Sequence, residues 1–370
     1  MKITVEKTNL EKALKQTIYE KKSAIPILTT ILLEVENETL TIKGTNLEQY
    51  TTISKKTLST EKEGKVCIFG KTIENIIKVL PEEIVEISLE NDKLKIKAGK
   101  TKYKIPTIST EDFPTFEPAP EPIVSLPKIE IEKGIEKTIY ASATDERPNL
   151  NGICIEITDN KVNFVATDGA RLSLYTTETE TTNENNVRIF TPQKAMIHLK
   201  NILKDLKNEN EEIKIATTNN SVFFIGKDFI MESRLLSYEF PQYKEIVELT
   251  LNNSEHKIEI DKEEFKESVT RITVAEDDTI KKAIITIKDN LIILSSSEYS
   301  EVKAEEEIYL TENTGIEEKI GLNSKYITDA LKSKESEKIL FKFKDRNNPV
   351  IIQEPDNYNQ IDIIMPLAIE

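Results

Sequence analysis

A strand–turn–strand pattern occurs three times in this chain at wide, nearly even intervals, and that recurrence restricts the possible folds more than any other feature. In "ILLEVENETLTIKGTN" (31–46) two runs of alternating apolar and polar residues flank a polar turn around Glu36 to Glu38. Such period-two alternation marks strands with one buried face. "ICIEITDNKVNFVATD" (153–168) and "AIITIKDNLIILSSS" (283–297) repeat the design with Asn or Asp at the turn, residues that suit tight hairpin connections. The three patterns start 122 and 130 residues apart. That is well beyond the roughly 20–50 residues of a solenoid repeat, so the repeated unit is a domain.

The flanking segments repeat as well. A helical pattern precedes each hairpin: "TNLEKALKQTIYEKK" (8–22), "KIEIEKGIEKTIYASATD" (128–145) and "DKEEFKESVTRITVAED" (261–277). Asn9 and Asp261 are the candidate N-caps. A second helix is expected after each hairpin, at 71–82, 191–207 and 323–338, with further strands after it such as "EIVEISLENDKLKIKAG" and "EEIKIATTNNSVFFIG". The first two units end alike, in "EDFPTF" and "YEFPQY". The Pro-rich stretch 117–127 reads as a stiff first linker, because proline fixes φ, and "LTLNNSEHK" (249–257) reads as the second. The expected fold is α+β, with three repeated domains (1–120, 121–250 and 251–370), each carrying two helices and antiparallel sheets.

Enzyme signatures are missing. The chain has no GxSxG elbow, Walker A loop, GxGxxG fingerprint or HExxH helix. Cys67 and Cys154 stand in no metal-ligand or redox spacing, so neither a zinc site nor a disulfide scaffold is expected, and no cofactor or metal is implied. The two histidines, His198 in a Lys-rich helix and His256 in the second linker, read as solvated side chains. The N-terminus lacks the apolar run of a signal peptide, and no segment reaches the roughly 18 apolar residues of a membrane span; the expectation is a soluble, cytoplasmic protein.

"FVATDGARLSLY" (164–175) places an Asp-Gly pair between two alternating runs, a strong turn signal because glycine accepts positive φ. A catalytic Asp168 would need a partner such as Asp145, and nothing in their spacing demands one.

That motif, with "LNGICIEI", "YEFPQY", "IPILTTILLEV" and the ending "IDIIMPLAIE", resembles the bacterial β sliding clamps, the processivity subunits of DNA polymerase III. The resemblance runs over essentially the whole chain in the expected order. It implies a head-to-tail homodimeric ring of six similar domains, which closes around duplex DNA without reading its sequence, with helices lining the hole. The implied partners are the catalytic subunit of DNA polymerase III, the clamp loader, and other polymerases and repair proteins that use short linear motifs; no membrane is implied.

Charge is compatible with a ring on DNA. The formal charge is −15, yet the six helical segments together carry +2, leaving −17 elsewhere. Candidate phosphate contacts are Lys12, Lys15, Lys21, Lys22, Lys78, Lys194, Lys200, Lys204 and Lys332. The resemblance singles out Lys22 among them and adds Thr144 and Asn149. The acidic first helix of the third unit, at −3, fits this lining badly.

An apolar run, "IIMPL", near the chain end is either a packed strand or a binding element. By resemblance it joins the TDG turn and the residues after the second "FP" in one peptide groove. Its residues would be Arg147, Leu150, Thr167, Gly169, Arg171, Leu172, Pro241, Ile246, Ile363, Met365, Pro366 and Leu367. In that reading the apolar members receive anchors, Arg147 and Arg171 hydrogen-bond the peptide, and Asp168 turns the corner. Relatives often carry His where Ala170 stands, a basic residue at Glu245 and Arg at Ala368, and this chain ends one residue later, at Glu370. The rim is therefore more acidic than usual, and acidic motifs should be tolerated less. The same resemblance puts Tyr103 and Ile105, in "TKYKIP", and Ile272 at the dimer joint. Two rivals stand beside it: a three-repeat β-rich scaffold that binds no DNA, and a hydrolase using Asp145 and Asp168.

Overall fold

The computed structural model describes the chain except for residues 82, 145–146, 159, 181–185, 276–280, 298–299 and 370. The chain forms two compact units, Met1–Ile131 with Lys194–Leu235, and Glu132–Gln193 with Leu236–Glu370.

One order of elements is written three times, with one additional short strand, the fifth, in the first. The first repeat is β1 (Lys2–Glu6), α1 (Lys7–Gln16), β2 (Thr30–Glu36), β3 (Thr39–Thr45), β4 (Gln49–Lys56), β5 (Ser59–Lys62), β6 (Gly64–Phe69), α2 (Gly70–Lys78), β7 (Ile84–Glu90), β8 (Lys93–Ala98) and β9 (Thr101–Pro106). The second is β10 (Val124–Pro127), α3 (Lys128–Glu136), β11 (Gly152–Thr158), β12 (Lys161–Thr167), β13 (Arg171–Glu178), β14 (Val187–Pro192), α4 (Gln193–Lys204), β15 (Glu212–Thr217), β16 (Ser221–Ile225) and β17 (Phe229–Arg234). A further helix, α5 (Tyr243–Asn253), follows before the third repeat. That repeat is β18 (His256–Asp261), α6 (Lys262–Thr273), β19 (Lys282–Lys288), β20 (Leu291–Ser296), β21 (Glu305–Tyr309), β22 (Glu317–Asn323), α7 (Ser324–Lys332), β23 (Lys338–Phe343), β24 (Val350–Glu354) and β25 (Asn357–Ile364).

Sheets run across repeat boundaries inside each unit. In the first unit one sheet has the order β5-β1-β7-β8-β9 and another β10-β15-β16-β17-β4-β3-β2-β6. In the second unit the orders are β14-β11-β12-β13-β25-β24-β23-β18 and β21-β20-β19-β22. The hairpins fold where the alternation puts them. Asn37 and Glu38 turn the first with φ of 47° and 57°, and Asp289 helps turn the third with φ of 56°, left-handed values that match the twist of the strands.

Helix packing follows the 3.6-residue period. In the third repeat Phe265, Val269 and Ile272 of α6 and Ile327, Ala330 and Leu331 of α7 are buried together against Ile285, Ile287 and Leu294 of the sheet. Asp261 caps α6, its carboxylate accepting from the Glu264 amide at 2.9 Å.

Several expected boundaries are corrected. The helix expected over 8–22 ends at Gln16, because the chain must leave it to dock on the sheet. The Ile18 amide donates to Thr51 Oγ1 at 2.9 Å, and only glycine fits at 44, where a Cβ would lie 2.1 Å from the Ile18 carbonyl oxygen. Lys21 and Lys22 therefore stand on a loop, and Asn9 lies inside α1 rather than capping it. The helix expected over 128–145 stops at Glu136 and gives way to a 3-10 turn at Ile139–Ala141, with Thr138 donating back to the Gly134 carbonyl at 2.6 Å. Val124–Pro127, expected within the first linker, is strand β10. The expected second linker is mostly the end of α5 and the start of β18.

Both histidine expectations also change. His198 bridges Gln49 Oε1 at 2.9 Å and the Gln16 carbonyl at 2.8 Å, and burial lowers its pKa against the pull of that carbonyl. His256 begins β18, its ring 5.3 Å from that of Phe343. Both cysteines are buried free thiols; burial pushes their pKa values up to about 11 for Cys67 and about 12 for Cys154.

Candidate functional site

The Thr167–Arg171 segment closes β12 onto β13 as a turn held by its own side chains. Asp168 Oδ1 accepts from the amides of Ala170 at 2.9 Å and Arg171 at 3.1 Å, while Thr167 Oγ1 donates to the Arg171 carbonyl at 2.6 Å. Gly169 sits at φ 90°, a backbone conformation that L side chains rarely adopt. The Asp168 carboxylate is buried and engaged by this turn and by Arg171, the place of a turn support. Its conceivable catalytic partner, Asp145, lies outside the described residues.

Arg171 does not reach out for a ligand as expected; it is the centre of the turn's support. Its Nε donates to Asp168 Oδ2 at 3.1 Å, one terminal nitrogen donates to Asp329 Oδ2 at 2.9 Å, and the other to the Tyr140 carbonyl. The guanidinium stacks on Tyr326, 4.3 Å from the ring centroid, a contact that guanidinium planarity favours. Burial and the nearby Asp168 raise the pKa of that tyrosine. With 9 % of its surface exposed, Arg171 is a positioning residue.

Arg147 and Leu150 meet the turn directly. An Arg147 terminal nitrogen donates to the Asp168 carbonyl at 2.5 Å. A Cβ placed on Gly169 would lie 3.7 Å from that guanidinium and 3.9 Å from Leu150 Cδ1. Arg147 and Gly169 are exposed, and Leu150 is half-buried.

The chain end arrives at the same place through the sheet. β25 pairs antiparallel with β13, setting Ile363 opposite Leu172 and Ile364 opposite Arg171, and the Met365 amide then donates to the Ala170 carbonyl at 2.9 Å. The tail is tied farther on, with the Leu367 amide donating to the Gly321 carbonyl at 2.8 Å and Lys282 Nζ to the Ala368 carbonyl at 2.8 Å. The run is thus packed as far as Ile364 and then held along the surface by backbone hydrogen bonds. Ile363 is buried, while Met365 is 42 % exposed and Pro366 and Leu367 are half-buried.

The wall beyond is α5, which the sequence reading missed. Tyr243 and Val247 on its inner side share one apolar cluster with Leu172, Phe240, Ile361 and Ile363. Pro241 and Ile246 stay exposed. A buried carboxylate anchors this helix: Glu156 accepts from the Tyr243 hydroxyl at 2.5 Å and pairs with Arg188 at 2.8 Å and Lys244 at 2.9 Å. Burial alone would push its pKa up, yet these three donors hold it down to about 2. The structure thus brings Arg147, Leu150, Thr167, Gly169, Leu172, Ile363 and Met365 to one turn, with Pro366 and Leu367 on the tail beside it and Pro241 and Ile246 on the adjoining wall. Among the described residues the supports that sequence did not disclose are Tyr140, Tyr326, Asp329 and Glu156.

Tail docking gives a direct test. A Cβ at Gly321 would lie 2.9 Å from the Leu367 carbonyl oxygen and 3.0 Å from Ile369 Cγ1. Gly321→Ala is expected to lift the tail, weakening peptide binding several-fold while the unfolding midpoint moves little, and the Leu367 amide should exchange its hydrogen faster. Unchanged peptide affinity with unchanged amide protection would refute the tail's role.

The basic candidates lie where a polyanion could reach most of them. Lys15, Lys21, Lys22, Lys78, Lys194, Lys204 and Lys332 are exposed, as are Thr144 and Asn149, while Lys12 and Lys200 are half-buried. The acidity of α6 is partly neutralised locally, Arg271 pairing with Glu267 at 3.4 Å and Glu306 at 2.5 Å, and Lys266 with Glu263 at 2.5 Å.

Two of the three expected joint residues are buried within the chain itself. Ile272 belongs to the core under α6 at 2 % exposure and Ile105 to the core under β9 at 3 %. The exposed apolar residue nearest Ile272 is Val274, at 84 %. Tyr103 is half-buried on β9, an edge strand whose outward side chains are Lys102 and Lys104.

Comparison with known proteins covers the chain from end to end. It matches the DNA polymerase III beta subunit N-terminal domain over residues 1–117, the central domain over 125–242 and the C-terminal domain over 250–368. Among similar proteins, the beta sliding clamp of Rickettsia felis is 28 % identical over 383 residues and that of Pseudomonas aeruginosa 25 % over 375, each covering all of both chains. Among solved structures, the DNA polymerase III beta subunit of Thermotoga maritima superposes with a TM-score of 0.90 at 29 % identity. A Pseudomonas aeruginosa sliding clamp bound to griselimycin superposes with 0.93 at 25 %; both cover each chain fully. Three domain matches in sequence order, laid over three structural repeats, make this chain a member of the DNA polymerase III beta subunit family.

Proposed function

We propose that the chain is a sliding clamp whose two copies close head to tail around duplex DNA. It then tethers the polymerase III catalytic subunit, the clamp loader and other polymerases and repair proteins through the groove at the TDG turn. It is a processivity subunit and not an enzyme. Three domains, 1–120, 121–250 and 251–370, are the ring's units, and the cytoplasm is its place of work. Among the described residues no helix is long and apolar enough to cross a membrane.

Strand order carries this reading. In the first unit the strand after the first repeat's hairpin, β4, pairs antiparallel with the last strand of the second repeat, β17. In the second unit β13 pairs in the same way with β25, the last strand of the third repeat. Continuing the rule, β21 of the third repeat needs the last strand of a first repeat, which is β9. Among the described residues both β9 and β21 end their sheets without a further strand, and an exposed edge is normally covered or matched to a partner. A second copy completes the rule twice, giving a closed two-fold pair. The edges are complementary in charge, with Lys102 and Lys104 outward on β9 and Glu305 and Glu307 outward on β21.

DNA contact follows from that closure. Exposed Lys15, Lys22, Lys78, Lys194, Lys204 and Lys332 on or beside the repeated helices are the proposed phosphate contacts, with Lys12, Lys21 and Lys200, and Thr144 and Asn149 add polar ones. Weak phosphate attraction suits a ring held by topology, since a tight, salt-sensitive grip would oppose sliding.

Loaded onto nicked circular DNA by a clamp loader, the protein should stay bound and leave when the circle is linearised; retention on linear DNA overturns the reading. A Lys102→Glu/Lys104→Glu chain should be monomeric at micromolar concentration and fail to stay on circles. Mixing it with a Glu305→Lys/Glu307→Lys chain should restore one joint.

A further inference from the structure

We propose that the outer flank of α5, from Ile246 to Leu249, extends the peptide groove into a second contact that takes an apolar side chain followed by a lysine or arginine of the same bound motif. This rests on the groove reading above and adds a specificity element to it.

The helix period places the flank. At roughly 100° per residue, Tyr243, Val247 and Thr250 fall on one side, and all three are buried. Ile246 and Leu249 lie three residues apart and so adjoin each other on the next side, 44 % and 61 % exposed. Singly exposed leucines are ordinary, but this pair continues an apolar surface. The inner residues of the same helix share a cluster with Leu172 and Ile363 of the groove. Leu249 lies one helical turn beyond Ile246, the wall residue already placed in the groove. A chain seated along the wall would meet it next.

Charge selects what that chain carries. Glu245 and Glu248 are exposed on the outer side of α5, and residues 245–253 include no lysine or arginine. The carboxyl end of the helix, at Asn253, adds partial negative charge, which favours a cation in the last turn. The wall is rigid enough to discriminate, because Tyr243 and Lys244 fix its first turn on buried Glu156; a preorganised surface loses less entropy on binding.

The test uses fluorescence anisotropy with three probes: griselimycin as a displacing ligand, and a 12-residue clamp-binding peptide of the polymerase III catalytic subunit ending at each side in Leu-Lys or in Leu-Glu. The unmodified protein should prefer the Leu-Lys peptide by about tenfold. Leu249→Glu should remove most of the apolar gain, while Glu248→Lys should remove the preference for the Leu-Lys peptide; griselimycin affinity should change less than twofold in both. Equal affinities for the two peptides in all three proteins, with griselimycin still bound, would overturn the extension and leave the groove intact. Failure of every probe to bind the unmodified protein would overturn the groove reading itself. Burial of α5 in a second copy, seen as self-association that Leu249→Glu abolishes, would also overturn it.

Discussion

Replacing Arg171 with methionine should cost about 3–5 kcal/mol of stability, the usual range when one member of a buried ion pair is removed, and should reduce peptide affinity at least tenfold. Two carboxylates depend on this guanidinium, Asp168 and Asp329, with side chains 7 % and 18 % exposed. The Tyr140 carbonyl and the Tyr326 ring lose their partner as well. Without the cation Asp168 stays buried and uncompensated, and the turn that sets Gly169 and Leu172 loses its support. Arg171→Lys should rescue little, because a point charge cannot span two carboxylates and a carbonyl or stack flat on a ring. Urea unfolding followed by circular dichroism, chosen because the chain has no tryptophan, measures the first effect, and peptide titration the second. A loss below about 1 kcal/mol, in the range of an exposed pair, would show that Asp168 and Asp329 do not depend on Arg171. Asp329→Leu added to Arg171→Met should recover part of the stability, since one orphaned carboxylate is then gone.

What could be read from the sequence was local or repetitive. The hairpins at 31–46, 153–168 and 283–297 announce themselves because strand period and turn chemistry are written into consecutive residues, and recurrence excludes accident. The TDG turn was legible for the same reason. The groove was not: Ile363 meets Leu172 only because β25 pairs with β13, and no local pattern encodes a pairing across that distance. Arg171 shows the limit most clearly. Its partner Asp329 lies 158 residues away, so the sequence shows a free cation where the structure has a buried keystone. α5 was missed because "IVELTL" mixes β-branched and apolar residues without a clear period. It is helical because Tyr243 and Val247 pack on the sheet. Ile272 shows how finely register matters: two residues along a helix end separate the core at Ile272 from the surface at Val274.

The second large effect is expected at the buried pair Lys334–Asp362, with side chains 0 % and 3 % exposed. Tyr140 donates to the other oxygen of Asp362 at 2.5 Å, and Gln360 bridges to Ser333 at 2.6 Å. Lys137 and Glu354 also act on the Lys334 charge, one lowering and one raising its pKa. Burial lowers the pKa of Lys334, and Asp362 opposes that shift. A lysine whose folded pKa lies below its unfolded value binds fewer protons when folded. Its destabilising contribution is therefore complete below the folded pKa and disappears as pH rises to the unfolded value near 10.5. Asp362→Asn removes the main opposing charge, so the folded pKa should fall further and that window should widen. At pH 7 the variant should lose about 3–5 kcal/mol. Between pH 7 and 9.5 it should regain stability relative to the unmodified chain, at no more than about 1.4 kcal/mol per pH unit. Lys334→Met combined with Asp362→Leu should recover most of the loss and show no such slope, because neither a buried charge nor its titration remains. Parallel pH profiles for the Asn variant and the unmodified chain would mean that Lys334 stays fully charged without its partner, and that burial does not govern this site.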